Sequence, residues 1–217
     1  MNPMQIEPKI DLEPQDESVL LRDRVLKAAR VYFFSHGFRS VTMDDLAREL
    51  GMSKKTLYKV FSSKTEIVEA ILKAKFDGLD AELQAATCDI QDFARSLHDL
   101  LELTRRHTLE INPNFVRDIR KELPHLFQFI EQRRTVLIMT YFSRLLEFGQ
   151  QQGQVRKDYP VSLMIALLLG MFNSTINPER LAELNLSPRE GIEVLLEVFL
   201  NGVLSASASP PEQAEKL

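Results

Sequence analysis

The sequence predicts an all-α protein of about nine helices, a three-helix head at the N-terminus followed by a larger helical bundle. Three observations predict it. Apolar residues recur at helical spacing through most of the 217 residues. Helix-start signals, a small polar residue before Pro or three residues before an acid, return along the chain. No run alternates apolar and polar residues in the manner of a strand, and no hairpin dipeptide such as Asn-Gly occurs.

The elements follow in order. Residues 1–17 hold three prolines and five acids with little periodicity and read as a disordered acidic tail. Val19 to Ser35 carries Leu21, Val25, Ala29 and Phe33 at helical spacing, and Gly37 stops it. Thr42 to Asp45 is a capping-box-like start, and Gly51 ends that helix after about two turns. Ser53 opens a third helix, and Ser63-Lys-Thr-Glu66 reads as a full capping box opening a longer one. Asp89 is placed to cap a helix running to about His107. Asn112-Pro113 and Asn177-Pro178 put an N-cap before Pro, and Pro124 and Pro160 are expected to begin helices in the same way. Ser187 to Glu190 combines both signals, and 205–217 reads as a second disordered tail. The expected domains are 18–79 and 80–204.

Composition narrows the function. The net charge is −4, but residues 19–70 hold ten Lys/Arg against six Asp/Glu, whereas 1–18 and 71–217 are each at −4. A basic segment in an acidic chain is the asymmetry of a face meeting nucleic acid. The single cysteine, Cys88, excludes an internal disulfide. The N-terminus lacks the apolar core of a signal peptide, and the longest apolar stretch, Val161–Phe172, is shorter than the roughly 20 residues of a spanning helix. A soluble, cytoplasmic, bacterial-type protein with no membrane partner is expected. No Gly-rich phosphate loop, H-E-x-x-H or G-x-S-x-G is present, so the chain is not read as an enzyme, and no cofactor is expected. His98 and Glu102 lie four apart on one helix face, but no third ligand accompanies them and no metal is expected.

The informative stretch is about 43–62. A short helix, a turn at Gly51 and a second short helix make a helix-turn-helix. Leu46, Ala47 and Leu50 form its apolar face, Met52 and Leu57 close on it, and Val25, Ala29 and Phe33 supply the floor. This leaves Ser53, Lys54, Lys55, Thr56, Tyr58 and Lys59 of the second helix free of the core. Ser53, Thr56 and the helix start suit phosphate; Lys54 or Lys55 suits guanine acceptors; the Thr56 methyl suits a thymine methyl. The Tyr58 hydroxyl suits a further phosphate, and Lys64 another.

Phe33, His36-Gly37-Phe38, Val41 to Ala47, Gly51 to Lys54, Leu57-Tyr58, Phe61 and Ser63-Lys64 together resemble the DNA-binding head of TetR-family regulators over about 19–79. The resemblance implies a homodimer on a near-palindromic double-stranded operator, usually a repressor released by a small ligand. It also implies that Thr42, Tyr58 and Lys64 touch phosphate while Lys54, Lys55 and Thr56 lie at the groove. Lys55 stands where a small residue is usual and Val60 where a polar or aromatic one is frequent, so no relative's operator sequence carries over. A chromosome-organising DNA-binding protein without an effector is the alternative.

In the body, Phe115, Phe127, Met139, Phe142, Met164, Met171 and Phe172 offer bulky adaptable surface for a largely apolar effector, or are ordinary core. Leu168 in the Val161–Phe172 helix, with Ile192, Leu195, Leu196, Phe199, Leu200 and Val203 in the last one, reads as a dimer surface. Both helices being internal is the other reading.

Overall fold

The structure, a computed structural model, describes residues 14–205. The head is α1 (Pro14–His36), α2 (Met43–Glu49) and α3 (Lys54–Val60), and α4 (Lys64–Thr87) leads out of it. The body adds α5 (Phe93–Leu109), α6 (Pro113–Glu122), α7 (Pro124–Leu137), a π-helical turn (Ile138–Phe142), α8 (Ser143–Gln151), α9 (Val161–Thr175), α10 (Pro178–Glu183) and α11 (Pro188–Val203). Because α7, the π turn and α8 are continuous, these are ten rods where about nine are expected, with no strand among the described residues. Residues 14–17, expected as tail, open α1; the rest of that tail, 1–13, and 206–217 lie outside the described residues.

Most helix starts are built as the sequence predicts, with three local corrections. Thr42 and Asp45 form a complete capping box, as do Ser187 and Glu190. Ser63 does cap α4, but the Glu66 carboxylate accepts from the N–H and hydroxyl of Ser62 rather than returning to Ser63, so the box there is incomplete. Asp92, not Asp89, caps α5, because its side chain is the one that accepts the Arg95 N–H. Pro160 is the N-cap of α9 and not its first helical residue, whereas Pro124 does sit in the first turn of α7.

Two hydrophobic clusters organise the packing. The first gathers Val25, Ala29 and Phe33 of α1 with Leu46, Ala47 and Leu50 of α2 and Leu57 of α3. Phe33 and Leu57 are fully buried, each worth about 1.5–3 kcal/mol of transfer free energy. The cluster does not stop at the head: Phe115 and Ile119 of α6 and Leu126 of α7 belong to it, and α4 runs unbroken across the expected boundary at 79–80. The second cluster joins Leu83 and Leu100 of α4 and α5 to Phe142, Leu145, Met164, Leu168, Leu195 and Phe199. The end of α11 is tied back to the loop after α8, where the Arg156 N–H donates to the Val203 carbonyl at 3.0 Å and that of Ser205 to Gln154 at 2.9 Å.

Polar contacts fasten body to head. Glu110, which caps α5, accepts from Arg30 of α1 at 2.6 Å and from Lys75 of α4 at 2.6 Å. Lys75 is only 5 % exposed. Burial raises the Glu110 pKa, but hydrogen bonds and charge from Arg30 and Lys75 outweigh it and bring it down to about 2. The partners move unequally: the Lys75 ammonium loses more to burial than Glu110 returns, so its pKa is lowered. On the far side, Tyr141 of the π turn donates to the carbonyl of Asp80 at 3.1 Å and to its carboxylate, and Arg133 donates to Asp77 at 2.8 Å. Both contacts hold α7 and the π turn against α4.

Candidate nucleic-acid interface

The site is assembled from the turn outward. The Met52 N–H donates to the Ala47 carbonyl at 2.9 Å and that of Gly51 to Arg48 at 3.1 Å, closing a turn in which Gly51 has φ +61°. That left-handed conformation is the one glycine adopts without strain. Arg24 of α1 donates to the Leu50 carbonyl at 2.8 Å and Arg22 to the Val60 carbonyl at 2.7 Å, so α1 supplies a cation to the C-terminal end of each short helix. Arg22 also lies 4.0 Å over the Phe61 ring. These two arginines were invisible as structural parts in the sequence, where they count only as charge.

The second short helix is anchored by Leu57 and presents its other face to solvent. Ser53 accepts the Thr56 N–H at 3.1 Å, and the two hydroxyls are 2.8 Å apart. Lys54, Lys55, Tyr58 and Lys59 are exposed, with Tyr58 at 50 %. Lys54 and Lys55 occupy the first turn, the end of a helix where its dipole disfavours cations. Asp44 of α2 offsets this for Lys54 through an ion pair; Lys55 has no such partner among the described residues. Two cations placed against the dipole, on an exposed face, gain most from an external anion.

Thr42 stands at the N-cap of α2, its hydroxyl donating to Asp45 at 2.6 Å while accepting the Asp45 N–H at 3.2 Å. The Thr42 hydroxyl and, after it, the Thr42 backbone N–H, both donating to the Asp45 carboxylate, hold its pKa below the usual range. Lys64 has a different setting from the one expected. Its ammonium turns inward, donating to the carbonyls of Phe38 at 3.0 Å and Val41 at 2.9 Å, and lies 4.0 Å from the centre of the Phe38 ring. Burial lowers its pKa. It staples α4 to the α1–α2 loop, with two of its three protons already engaged.

Charge in the head can therefore be sorted. Arg22, Arg24, Arg30, Arg48, Lys54 and Lys64 are each held by a carboxylate or carbonyl within the chain. Lys27, Arg39, Lys55 and Lys59 have no such partner among the described residues. Arg39 was not singled out by the sequence. Its exposed side chain precedes Thr42 by one turn of chain, while its backbone N–H donates to Asp118 of α6 at 2.9 Å.

The expected body sites are rearranged. Phe115 and Phe127 pack with the head cluster, Phe142, Met164, Met171 and Phe172 with the other, and Met139 is 54 % exposed. The seven are thus divided between the two clusters and the surface. Of the expected dimer residues, Leu168, Ile192, Leu195, Phe199 and Val203 are buried within the subunit, and Leu196 and Leu200 are half-buried. The neighbouring face is the open one: Leu163 and Leu167 of α9 and Val194 and Val198 of α11 are 43–58 % exposed.

A short helix anchored on the core, presenting lysines and a tyrosine from an all-helical body, has the form of a helix-turn-helix DNA-binding module. Residues 25–71 match the family model described as "Bacterial regulatory proteins, tetR family". The HTH-type transcriptional regulator YfiR of Bacillus subtilis is 28% identical over 92% of this chain and 98% of its own. The HTH-type transcriptional repressor KstR2 of Rhodococcus jostii is 26% identical over 68% and 74%. A transcriptional regulator from Saccharomonospora viridis, solved in complex with choline, superposes with a TM-score of 0.65 at 20% identity over 86% and 99%, a likeness of fold. The head, residues 25–71, thus carries the TetR-family pattern, and the chain as a whole is similar to HTH-type transcriptional regulators. Among the described residues no helix is long and apolar enough to cross a membrane.

Proposed function

We propose that the chain is a homodimeric repressor that holds a near-palindromic operator through α3 and releases it when a small ligand binds the body. The observation that carries the DNA half is the exposed face of α3, where Lys55 and Lys59 stand without an internal partner beside the half-exposed Tyr58. Phosphates would be met by Ser53, Thr56, Tyr58 and Lys59, with Thr42 at the start of α2. Lys54, Lys55 and the Thr56 methyl would face base edges. Lys64 keeps one proton for a phosphate, but its main work is the loop staple.

The dimer would form through α9 and α11. From Val161 to Thr175, α9 has no charged residue, yet exposes Leu163 and Leu167. Such a face loses free energy in water and gains it against a copy of itself. Two heads would then enter successive major grooves roughly 34–36 Å apart. Repression is supported by the name of the R. jostii relative, and a ligand-binding body by the choline complex of the S. viridis protein. A ligand would act by favouring a different placement of α4, and only by as much as its affinity differs between the two states.

Selection of bound fragments from a genomic library at two salt concentrations tests this. A few near-palindromes, weakened by salt and by Tyr58→Ala, are expected. Binding spread over many unrelated fragments would instead favour the chromosome-organising reading.

A further inference from the structure

An open groove of about 300 Å³ runs between α5 and α11. Leu101, Ile192, Leu196 and Leu200 give it an apolar lining, and both walls carry charge along the rim. The two arginines of that rim are already neutralised from their own helices. Arg105 makes a two-pronged contact with Glu102, at 2.7 and 2.5 Å, and Arg189 donates to Glu193 at 2.7 Å. Glu193 also acts on Arg105 across the groove. One turn further along α11 stands Glu197, which has no ion pair or hydrogen bond among the described residues. Among the acidic and guanidinium side chains of the lining, three carboxylates face two guanidiniums, so one carboxylate is unmatched.

We infer that this groove is the effector site and that it takes a small amphipathic organic cation, its apolar body on Leu101, Ile192, Leu196 and Leu200 and its ammonium-type head beside Glu197. The inference rests on the ligand-responsive reading above and names the ligand class for it. An anionic ligand would find both arginines engaged. A second copy of the chain is better matched by the uncharged face of Leu163, Leu167, Val194 and Val198 than by a charged rim. The volume is at the lower end of the roughly 300–1,000 Å³ of small-molecule sites, which sets the ligand's size.

The position also gives the site a line to the head. One wall is α5, from His98 to Leu109, and the next residue is Glu110, whose carboxylate holds Arg30 of α1 and Lys75 of α4. A ligand that wedges α5 from α11 therefore pulls on the clasp between body and head. Any change it makes in operator affinity must be matched by an equal effect of operator on its own binding.

Calorimetric titration of the full chain, without DNA, with octyltrimethylammonium, octanoate and octanol separates the possibilities. The cation should bind at least about tenfold more tightly than the carboxylate or the alcohol. Glu197→Gln should remove that preference, Glu197→Asp should keep part of it, and Leu196→Gln should weaken the cation with the dimer intact. Absence of binding, equal or tighter binding of octanoate or octanol, or indifference to Glu197→Gln would overturn the inference. Loss of the dimer in Leu196→Gln would overturn it too, assigning the groove to a subunit contact. Because no DNA is present, failure here leaves operator binding untouched, and failure of operator binding leaves this result standing. With operator added, the cation should weaken the complex in wild type and not in Glu197→Gln.

Discussion

Asp118 of α6 accepts the backbone N–H of Arg39 at 2.9 Å, a bond that joins the body to the loop leading into the helix-turn-helix. The same carboxylate lies 3.1 Å from where a Cβ on Gly37 would be, and Gly37 has φ +85°. Asn112, at the start of α6, adds to the tie by donating through its backbone to the Phe34 carbonyl at 3.0 Å. The head is thus held by α6 as well as by α4, and the loop between α1 and α2 has little room to move independently.

Gly37→Ala should therefore destabilise the protein by about 1–2 kcal/mol, since it places a side chain in a left-handed conformation and presses it on Asp118. Asp118→Ala should cost a similar amount by leaving the Arg39 N–H unpaired. Urea unfolding measures both. Unchanged stability in the two variants would mean that the tie is not a constraint on the loop.

Lys64 and Lys55 should behave in opposite ways. Lys64→Ala removes two hydrogen bonds to carbonyls and a cation over an aromatic ring, so about 1–3 kcal/mol of stability should go with it. Lys55→Ala should leave the melting temperature in place and weaken operator binding. Lys59→Ala, at a phosphate, should lower the salt slope by about 1 across all sequences. Thermal melts and salt titrations on the same three variants check the assignment, which fails if Lys64→Ala melts like wild type.

Acid should weaken the clasp at Glu110. Its folded pKa of about 2 lies below the 4.5 of the unfolded chain, so its contribution is fully present above about pH 4.5 and is lost as pH falls toward 2. His107, facing Lys75, Glu82 and Arg106, has its pKa lowered, first by burial and then by Lys75. A base with a lowered folded pKa is protonated more readily when unfolded, so stability should also decline as pH drops below 6.5. Denaturant midpoints measured from pH 8 to pH 3 should show both slopes. His107→Gln should flatten the upper one only, and Glu110→Gln the lower one. Glu110→Gln should also destabilise the protein at pH 7 by about 2 kcal/mol, less than the roughly 3–5 of a fully buried pair because Glu110 remains partly solvated.

The association face can be separated from the core by where a charge is tolerated. Leu167→Glu with Val198→Glu should give a folded monomer by sedimentation, because both positions are exposed in the subunit. Leu195→Glu, buried in the body cluster, should unfold the chain instead. A persistent dimer in the double variant would place the interface elsewhere.

What the sequence determined by itself was local. Thr42, Ser53, Asn112 and Ser187 cap the helices they were expected to cap, because a cap depends on the three residues that follow it. The apolar face of the helix-turn-helix was legible for the same reason: Leu46, Ala47, Leu50 and Leu57 lie within twelve residues of one another and share one periodicity. What only the tertiary structure decided was which of two apolar surfaces stays open and which charges stay free. Leu195 and Val194 are adjacent in the chain, yet one is buried in the body and the other faces outward, since the packing of α5 and α9 on α11 selects the side. Lys64 and Lys55 are both lysines at helix starts, yet the carbonyls that capture Lys64 come from residues 23 and 26 positions away. Periodicity reports that a face exists, whereas its partner is set by the sum of long-range contacts, and no local pattern encodes that sum.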